Sequence, residues 1–476
     1  MATLAAVDEG RPASGLWDWR SVVALVSLAV AAVIAFSPEL FNDGDTYWHL
    51  AAGRWIIDTL GVPATDPFSF TFRGKPWTAH EWLAEVLEAG ALQAGSWPAV
   101  ATLHAAAAAV TLYLVGTWAG RTLAAPRVIV LLALLWCVLA PFTLARPHVL
   151  VWPMLVGFVI LLLRARAENR APSWFAAMLM LVWANAHGSF TLGLLLAALF
   201  GLEALLQSDD RLRALRQWGL FGAALLVAAL ATPHGLQGLL HPLYISRLGM
   251  LDTITEWRAA TWPDDWLFFL VAATVVLAAG RHWRRLGAVR LIILAGLMAL
   301  AFEHARHQAP FALVAALLLA PLLGNRDPEC SSSEGRRVPG VFLAGLLVLA
   351  FARQVVPLTP PDTRNVPATA IAAIPRSLVG QPVLNTYGFG GPLIFNGIAP
   401  YIDGRGDMYG DEFLREFQRM TGGDMALFRR IARERQLGWT ILSPREPLAA
   451  KLDSEPGWRR AYADEYAVIH VRTAAD

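Results

Sequence analysis

Apolar runs long enough to reach across a bilayer recur along most of this chain, and they constrain its fold more than any motif. On a criterion of about 20 residues per helical span, hydropathy gives about eleven spans. They lie near 21–40, 98–119, 127–143, 149–163, 173–186, 190–207, 217–232, 265–280, 288–303, 309–323 and 339–356. Charged residues are only 16% of the 476 residues and hydrophobic ones 56%. Ordinary soluble domains are roughly 25% charged. The pattern is that of an α-helical polytopic membrane protein. The run from Val22 to Phe36 follows a polar stretch with Arg11 and Arg20, and reads as an uncleaved first helix. Cys137 and Cys330 are too few and too far apart for a disulfide framework. No basic run with interleaved aromatics points to nucleic acid.

The loops sort into two unlike sets. One set is short and arginine-rich, with Arg121 and Arg127, then Arg164, Arg166 and Arg170, then Arg211, Arg213 and Arg216, then Arg281, Arg284, Arg285 and Arg290, then Arg326, Arg336 and Arg337. By the positive-inside rule that set is cytoplasmic, as is the N-terminus. The opposite helix ends carry Arg146-Pro147-His148, His187, His234, Asp252 to Asp265 with Glu256-Trp257-Arg258, and Glu303 to Gln308 with His304, Arg306 and His307. A polar site is therefore expected at the external side, facing the periplasm if the cell is Gram-negative.

The richest loop, 41–97, belongs to that external set. It places Asp43, Asp45, Asp66 and Glu81 among His49, His80, Arg54, Arg73 and Lys75, with Trp48, Trp55, Trp77 and Trp82. Trp48, Ala51, Ala52 and Trp55, and again Trp82, Val86 and Leu87, have helical spacing, so two interfacial helices bracket it. Turn residues Gly61, Pro63, Asp66-Pro67 and Gly74-Lys75-Pro76 punctuate the middle.

Composition shifts after residue 356. Pro357, Pro360, Pro361 and Pro367 make a linker between a membrane domain (1–356) and an external domain (357–476). Strand-like runs at 382–385, 393–395, 401–403, 439–442 and 466–471, with helical patterns at 411–420 and 425–436, predict a small α/β domain. The glycines of 388–391 are a weak signal for phosphate, and no P-loop is present, which disfavours an ATP-driven pump.

Each candidate has a plain alternative. Asp43 and Asp45 could be no more than a solvated helix cap; yet Gly44 lets both carboxylates converge, and aromatics follow within a turn. Such a carboxylate can act as general base. With a second acid such as Glu81 it can hold a divalent cation, Mg or Mn. Tryptophans at an interface are often only belt anchors, but Trp77 and Trp82 flank His80-Glu81, and flat indoles suit a sugar face. Trp48 and His49 fit an acceptor or sugar in the same way. A single arginine at a helix end snorkels. Arg146, His148, His187, His304, Arg306 and His307 at one depth point instead to an anion, which the arginine fork grips bidentately. Without an H-E-x-x-H, metalloprotease chemistry is disfavoured. Asp403, Arg405 and Asp407 either close a turn at the end of a strand or cap the site from outside.

A helix, an acidic D-x-D-like element, a long external first loop, many short spans and an external C-terminal domain resemble the C-type glycosyltransferase (GT-C) superfamily. The stretches WHLAAGRWI, PATDPFSFT, GKPWTAHEWL and YIDGRGDMYG are similar to those of a family of bacterial integral membrane proteins. The superfamily resemblance implies transfer of a sugar from a polyprenyl-phosphate donor to an external acceptor, with Asp45 or Asp43 as base and basic residues holding the lipid phosphate. The chain lacks a W-W-D-like external motif, which argues against protein N-glycosylation. A lipid-linked glycan ligase or polymerase is the nearest alternative. A transporter would need polar residues along both halves of the spans, and the cytoplasmic halves nearly lack them; a catalytically silent scaffold of the envelope is the remaining class.

Overall fold

The computed structural model describes residues 19–249, 257–324 and 338–473. The expected roles of Arg11, Asp252 to Glu256, Arg326, Cys330, Arg336 and Arg337 lie outside those residues.

In chain order the helices are α1 (Trp19–Phe36), α2 (Gly44–Thr59), α3 (Trp82–Ala119), α4 (Ala125–Leu139), α5 (Pro147–Ala167), α6 (Phe175–Ala186), α7 (Phe190–Gln207), α8 (Arg211–Leu230), α9 (Gly235–Ile245), α10 (Trp266–Glu303), α11 (Gln308–Leu323) and α12 (Val338–Val355). Among the described residues eight helices are long and apolar enough to cross a membrane, or nine if α8 and α9, bent by 91°, form one broken span. A count by length falls short of the expected eleven at two places. The run at 173–186 folds into only 12 helical residues, α6. The runs at 265–280 and 288–303 are continuous in α10 only across non-helical backbone at His282 and Gly287, where the chain folds back on itself, so that Phe268 near its start and Phe302 near its end meet at 4.9 Å. Arg281, Arg284, Arg285 and Arg290 sit at that break. A straight helix of 38 residues would be about 57 Å long, nearly twice a hydrocarbon core; the break makes of it two antiparallel apolar helices, as the two separate runs led one to expect.

The centre of the bundle is α3. It is broken at Gly95 and Ser96, and its second half buries Ala101, Ala105, Ala108, Ala109 and Leu112. Small residues let α1 and α5 approach its backbone closely, as membrane helices require when lipid is as apolar as leucine. The first half of α3 and all of α2 are the two helices expected to bracket the opening loop.

Beyond α12 follow α13 (Ala368–Ala372), β1 (Val383–Asn385), α14 (Gly390–Phe395), α15 (Gly406–Thr421), α16 (Met425–Glu434), β2 (Trp439–Leu442), α17 (Pro447–Leu452), β3 (Trp458–Ala463) and β4 (Val468–Arg472). The sheet order is β1-β2-β4-β3, parallel only between β1 and β2. One face packs Val383, Ile441 and Ile469 on Phe389 and Leu393; the other packs Leu384 and Leu442 on Tyr401, Phe417 and Phe428.

Two expected strands are corrected. Residues 393–395 are helical, because a short apolar run reads alike as buried strand or buried helix. Residues 401–403 form no strand, so the Asp403-Arg405 turn does not end one. The amide of Asn385 takes the place of a neighbouring strand: Tyr401 N–H donates to its Oδ1 at 2.8 Å, and its Nδ2 donates to Ile402 O at 2.8 Å. The strand β3, exposed and arginine-rich, lacks the apolar alternation that would have announced it.

Candidate functional site

The external-set loops converge on one end of the bundle, where they and the C-terminal residues enclose a cavity of about 1170 Å³. Of the residues nominated from sequence, Asp43, Asp45, Trp48, His49, His80, Glu81, Arg146, His148, His187, His304, Arg306, His307, Arg405 and Asp407 line it; Trp77, Trp82 and Asp403 do not. Trp77 is buried beneath Arg405, 4.6 Å from the guanidinium, and Trp82 donates to Asn185 Oδ1 at 2.8 Å. Asp403 is buried in an ion pair with Arg405 at 2.7 Å. These three support the walls.

The acidic element starts α2. Asp43 is its N-cap and accepts the Thr46 backbone N–H at 3.1 Å, so its carboxylate is fixed by the helix end. Arg146, just ahead of α5, grips Asp43 with both Nε and Nη2 at 2.5 Å, and the same Nη2 lies 3.1 Å from Asp45 Oδ2. Burial pushes the Asp43 carboxyl up, but the Arg146 guanidinium wins and holds it below the usual range. Asp45 is the more open of the pair, its side chain 23% exposed against 10% for Asp43. Glycine packing sets their height. A Cβ on Gly44 would stand 2.0 Å from Gly388 O, and one on Gly404 would stand 1.7 Å from Asp45 Oδ1. Gly391 likewise lies against the first turn of α2, where a Cβ would stand 2.0 Å from Gly44 O, and a Cβ on Gly390 would stand 2.2 Å from Ile402 O, so close packing accounts for these two glycines.

Glu81 stands opposite, ringed by His187 Nε2 at 3.3 Å, His80 Nε2 at 3.6 Å and His49 Nε2 at 3.7 Å. Burial pushes Glu81 up to about 8, against the pull of Arg306. Burial likewise lowers His80 to about 4, and holds His49 and His187 well below the usual histidine range. At neutral pH this is a protonated carboxyl among neutral imidazoles.

Sequence reasoning missed what lies behind it. His49 Nδ1 is 3.2 Å from Glu85, and His104 Nε2 is 3.2 Å from Glu88, all buried. The signal was there: Glu81, Glu85 and Glu88 fall at spacings of four and three, one face of an otherwise apolar helix. His241, 3.1 Å from Asp407, was also missed, because it sits alone in an unremarkable helix, α9.

On the third side, Arg306 lies over Trp257 at 4.5 Å, and His304 Nδ1 is 2.9 Å from Trp257 O. Arg146, Arg258 and Arg405 on the cavity wall each pair with a carboxylate; Arg306 has no carboxylate within ion-pair distance among the described residues. Below His148 the wall continues down α5 through Val151, Trp152 and Leu155, so the polar chamber opens onto an apolar slope. Such a wall suits an amphipathic ligand. No three His, Cys, Asp or Glu side chains among the described residues stand in metal-binding geometry. The Arg146 guanidinium stands between Asp43 and Asp45 and pairs with both.

No protein-family model matches the chain, and no curated protein matches it in sequence. Solved structures do match. The archaeal oligosaccharyltransferase AglB of Archaeoglobus fulgidus, in complex with an inhibitory peptide and a dolichol-phosphate, superposes with a TM-score of 0.60 at 10% identity, over 89% of this chain and 69% of AglB. The fold is GT-C-like. The apo form of the A. fulgidus enzyme gives a TM-score of 0.53 at 10% identity, over 90% of this chain and 70% of that one. At such identity the likeness is one of fold, and the chemistry rests on the cavity.

Proposed function

We propose that this protein is a membrane glycosyltransferase that moves a sugar from a polyprenyl-phosphate-linked donor to an acceptor on the external side, and that residues 357–476 and the cavity face that side. The observation that carries this reading is the cavity itself. It joins an arginine with no carboxylate partner among the described residues, a carboxylate pair and an apolar slope, the three things that a lipid phosphate, an acceptor hydroxyl or amine and a prenyl chain require. The fold likeness to AglB, a structure holding a dolichol-phosphate, supports it.

Asp45 takes the proton of the acceptor, whose oxygen or nitrogen attacks the anomeric carbon of the sugar. The bond from that carbon to the phosphate oxygen breaks as the new one forms, with inversion. The lipid phosphate keeps the electron pair and leaves as an anion held by Arg306, with His304 and His307 beside it. Arg146 pairs with Asp45 at 3.1 Å and aims its carboxylate, and no step needs a divalent cation, so chelation leaves transfer unchanged.

The test uses the protein in nanodiscs with radiolabelled polyprenyl-phosphate sugars. Asp45→Asn abolishes transfer and leaves donor binding intact. Arg306→Ala weakens donor binding by about 10- to 100-fold, the loss of one charge-assisted contact to an anion. Transfer at the wild-type rate in Asp45→Asn would remove the base, and full donor affinity in Arg306→Ala would remove the phosphate site.

A further inference from the structure

A second concavity lies at the far end of the bundle. There α3, α5 and α6 leave a groove of about 200 Å³ that shares no lining residue with the large cavity. Its position follows from the helices. The N-terminus of α5 lies at the cavity, and a rise of about 1.5 Å per residue puts Arg164 roughly 25 Å away. The start of α3 lies beside Glu81, and its end lies just before Arg121.

The groove is built of unlike parts. Leu114, Leu161 and Leu179 make an apolar wall. Gly157 keeps it open, because a Cβ there would meet only Leu179 Cδ2, at 3.8 Å. At the rim stand Arg121 and Arg164. Neighbouring arginines of this end have partners: Arg166 binds Glu203, Arg170 binds Glu168, and Arg127 donates to Leu323 O. Arg121 and Arg164 pair with no carboxylate among the described residues. Arg121 lies over Trp118 at 5.2 Å, and burial together with the Arg164 charge lowers its pKa. Among the described residues, no carboxylate compensates these two like charges over the apolar groove.

We propose that this groove holds one acyl chain of an anionic membrane phospholipid, with the lipid phosphate between Arg121 and Arg164. The volume falls below the roughly 300–1,000 Å³ of compact ligand sites, which suits a single flexible chain. The flanking Trp174 and Phe175 are exposed, as side chains facing lipid are. The lipid belongs to the leaflet opposite the cavity, the cytoplasmic one on the arginine sorting, where anionic headgroups collect. This site is independent of the proposed transfer reaction.

The experiment is native mass spectrometry of the full chain released from vesicles of equal parts phosphatidylglycerol and phosphatidylcholine. The wild type retains phosphatidylglycerol in preference. Arg121→Ala and Arg164→Ala each reduce that retention about fivefold, the effect of one arginine near an anionic headgroup. Gly157→Leu, which fills the groove, reduces it while leaving both arginines in place. The two arginines are exposed, so their replacement does not threaten the fold and decides the matter even if Gly157→Leu fails to insert. Equal retention of the two lipids by the wild type, or undiminished preference in the double arginine variant, overturns the proposal. So does displacement of phosphatidylglycerol by polyprenyl phosphate, which would assign the groove to the lipid carrier.

Discussion

Glu81 shows how one residue turns a packing fact into a pH dependence. Its carboxyl is raised from an ordinary 4.5 to about 8 by burial, so the folded protein holds this proton more tightly than the unfolded chain does. Stability from this group is fully present below pH 4.5. Between 4.5 and 8 the unfolded state releases the proton and the folded state does not, so stability falls as pH rises and levels off above 8. A tenfold difference in proton affinity between the two states is worth about 1.4 kcal/mol, so the loss amounts to a few kcal/mol, reduced by the partial exposure of the side chain. Glu81→Gln mimics the protonated form and removes the slope. Thermal unfolding in nanodiscs at pH 5, 7 and 9 measures it; a parallel decline in wild type and Glu81→Gln would place the titration elsewhere. The sequence could nominate Glu81 because it stands in a loop dense with ionisable groups. It could not supply the raised pKa, because that comes from burial, which the folded chain alone creates, with Arg306, more than two hundred residues away, pulling the other way.

Elements were legible where one physical signal dominated. Long apolar runs announced the spans, and helical spacing around Trp48 and Trp82 announced α2 and the start of α3. Legibility failed where the partner lay far off in sequence. The glycines at 388–391 were a weak phosphate signal, yet Gly388 and Gly391 are part of the surface on which the first turn of α2 rests. That contact gives a sharp contrast between two glycines. Gly44→Ala would drive its Cβ into Gly388 O, 2.0 Å away, whereas nothing lies within 4 Å of a Cβ on Gly388. The first substitution must shift α2, and with it Asp43 and Asp45, so we expect donor binding to survive and transfer to fall at least tenfold. Gly388→Ala should retain near wild-type transfer. Equal rates for the two variants would show that the height of α2 does not set the reaction geometry.

At the scale of the whole molecule, the loop at 41–97 and the C-terminal residues are interlocked, which no division of the chain by composition could reveal. Phe72 packs between Tyr409 and Phe413 at 4.9 and 5.0 Å, and Thr71 Oγ1 donates to Tyr401 O at 2.6 Å. The joint is sealed by a buried triad. Arg405 pairs with Asp66 at 2.8 Å and with Asp403 at 2.7 Å, and Tyr409 O–H donates to Asp403 Oδ2 at 2.7 Å. All three charged side chains are essentially inaccessible, at 1% exposure or less. Charge counting then ranks the variants. Asp66→Ala leaves Arg405 with one buried partner, a neutral pair. Arg405→Ala leaves two carboxylates buried without a cation, and removing one partner of a buried pair already costs about 3–5 kcal/mol. Arg405→Ala should therefore unfold at the lower temperature of the two, and should expose the segment around Phe72 to protease while the membrane bundle stays intact. If Asp66→Ala were instead the more damaging, the triad would be held by the hydrogen bonds that Asp66 accepts from Ser69 and Phe68 rather than by its charges.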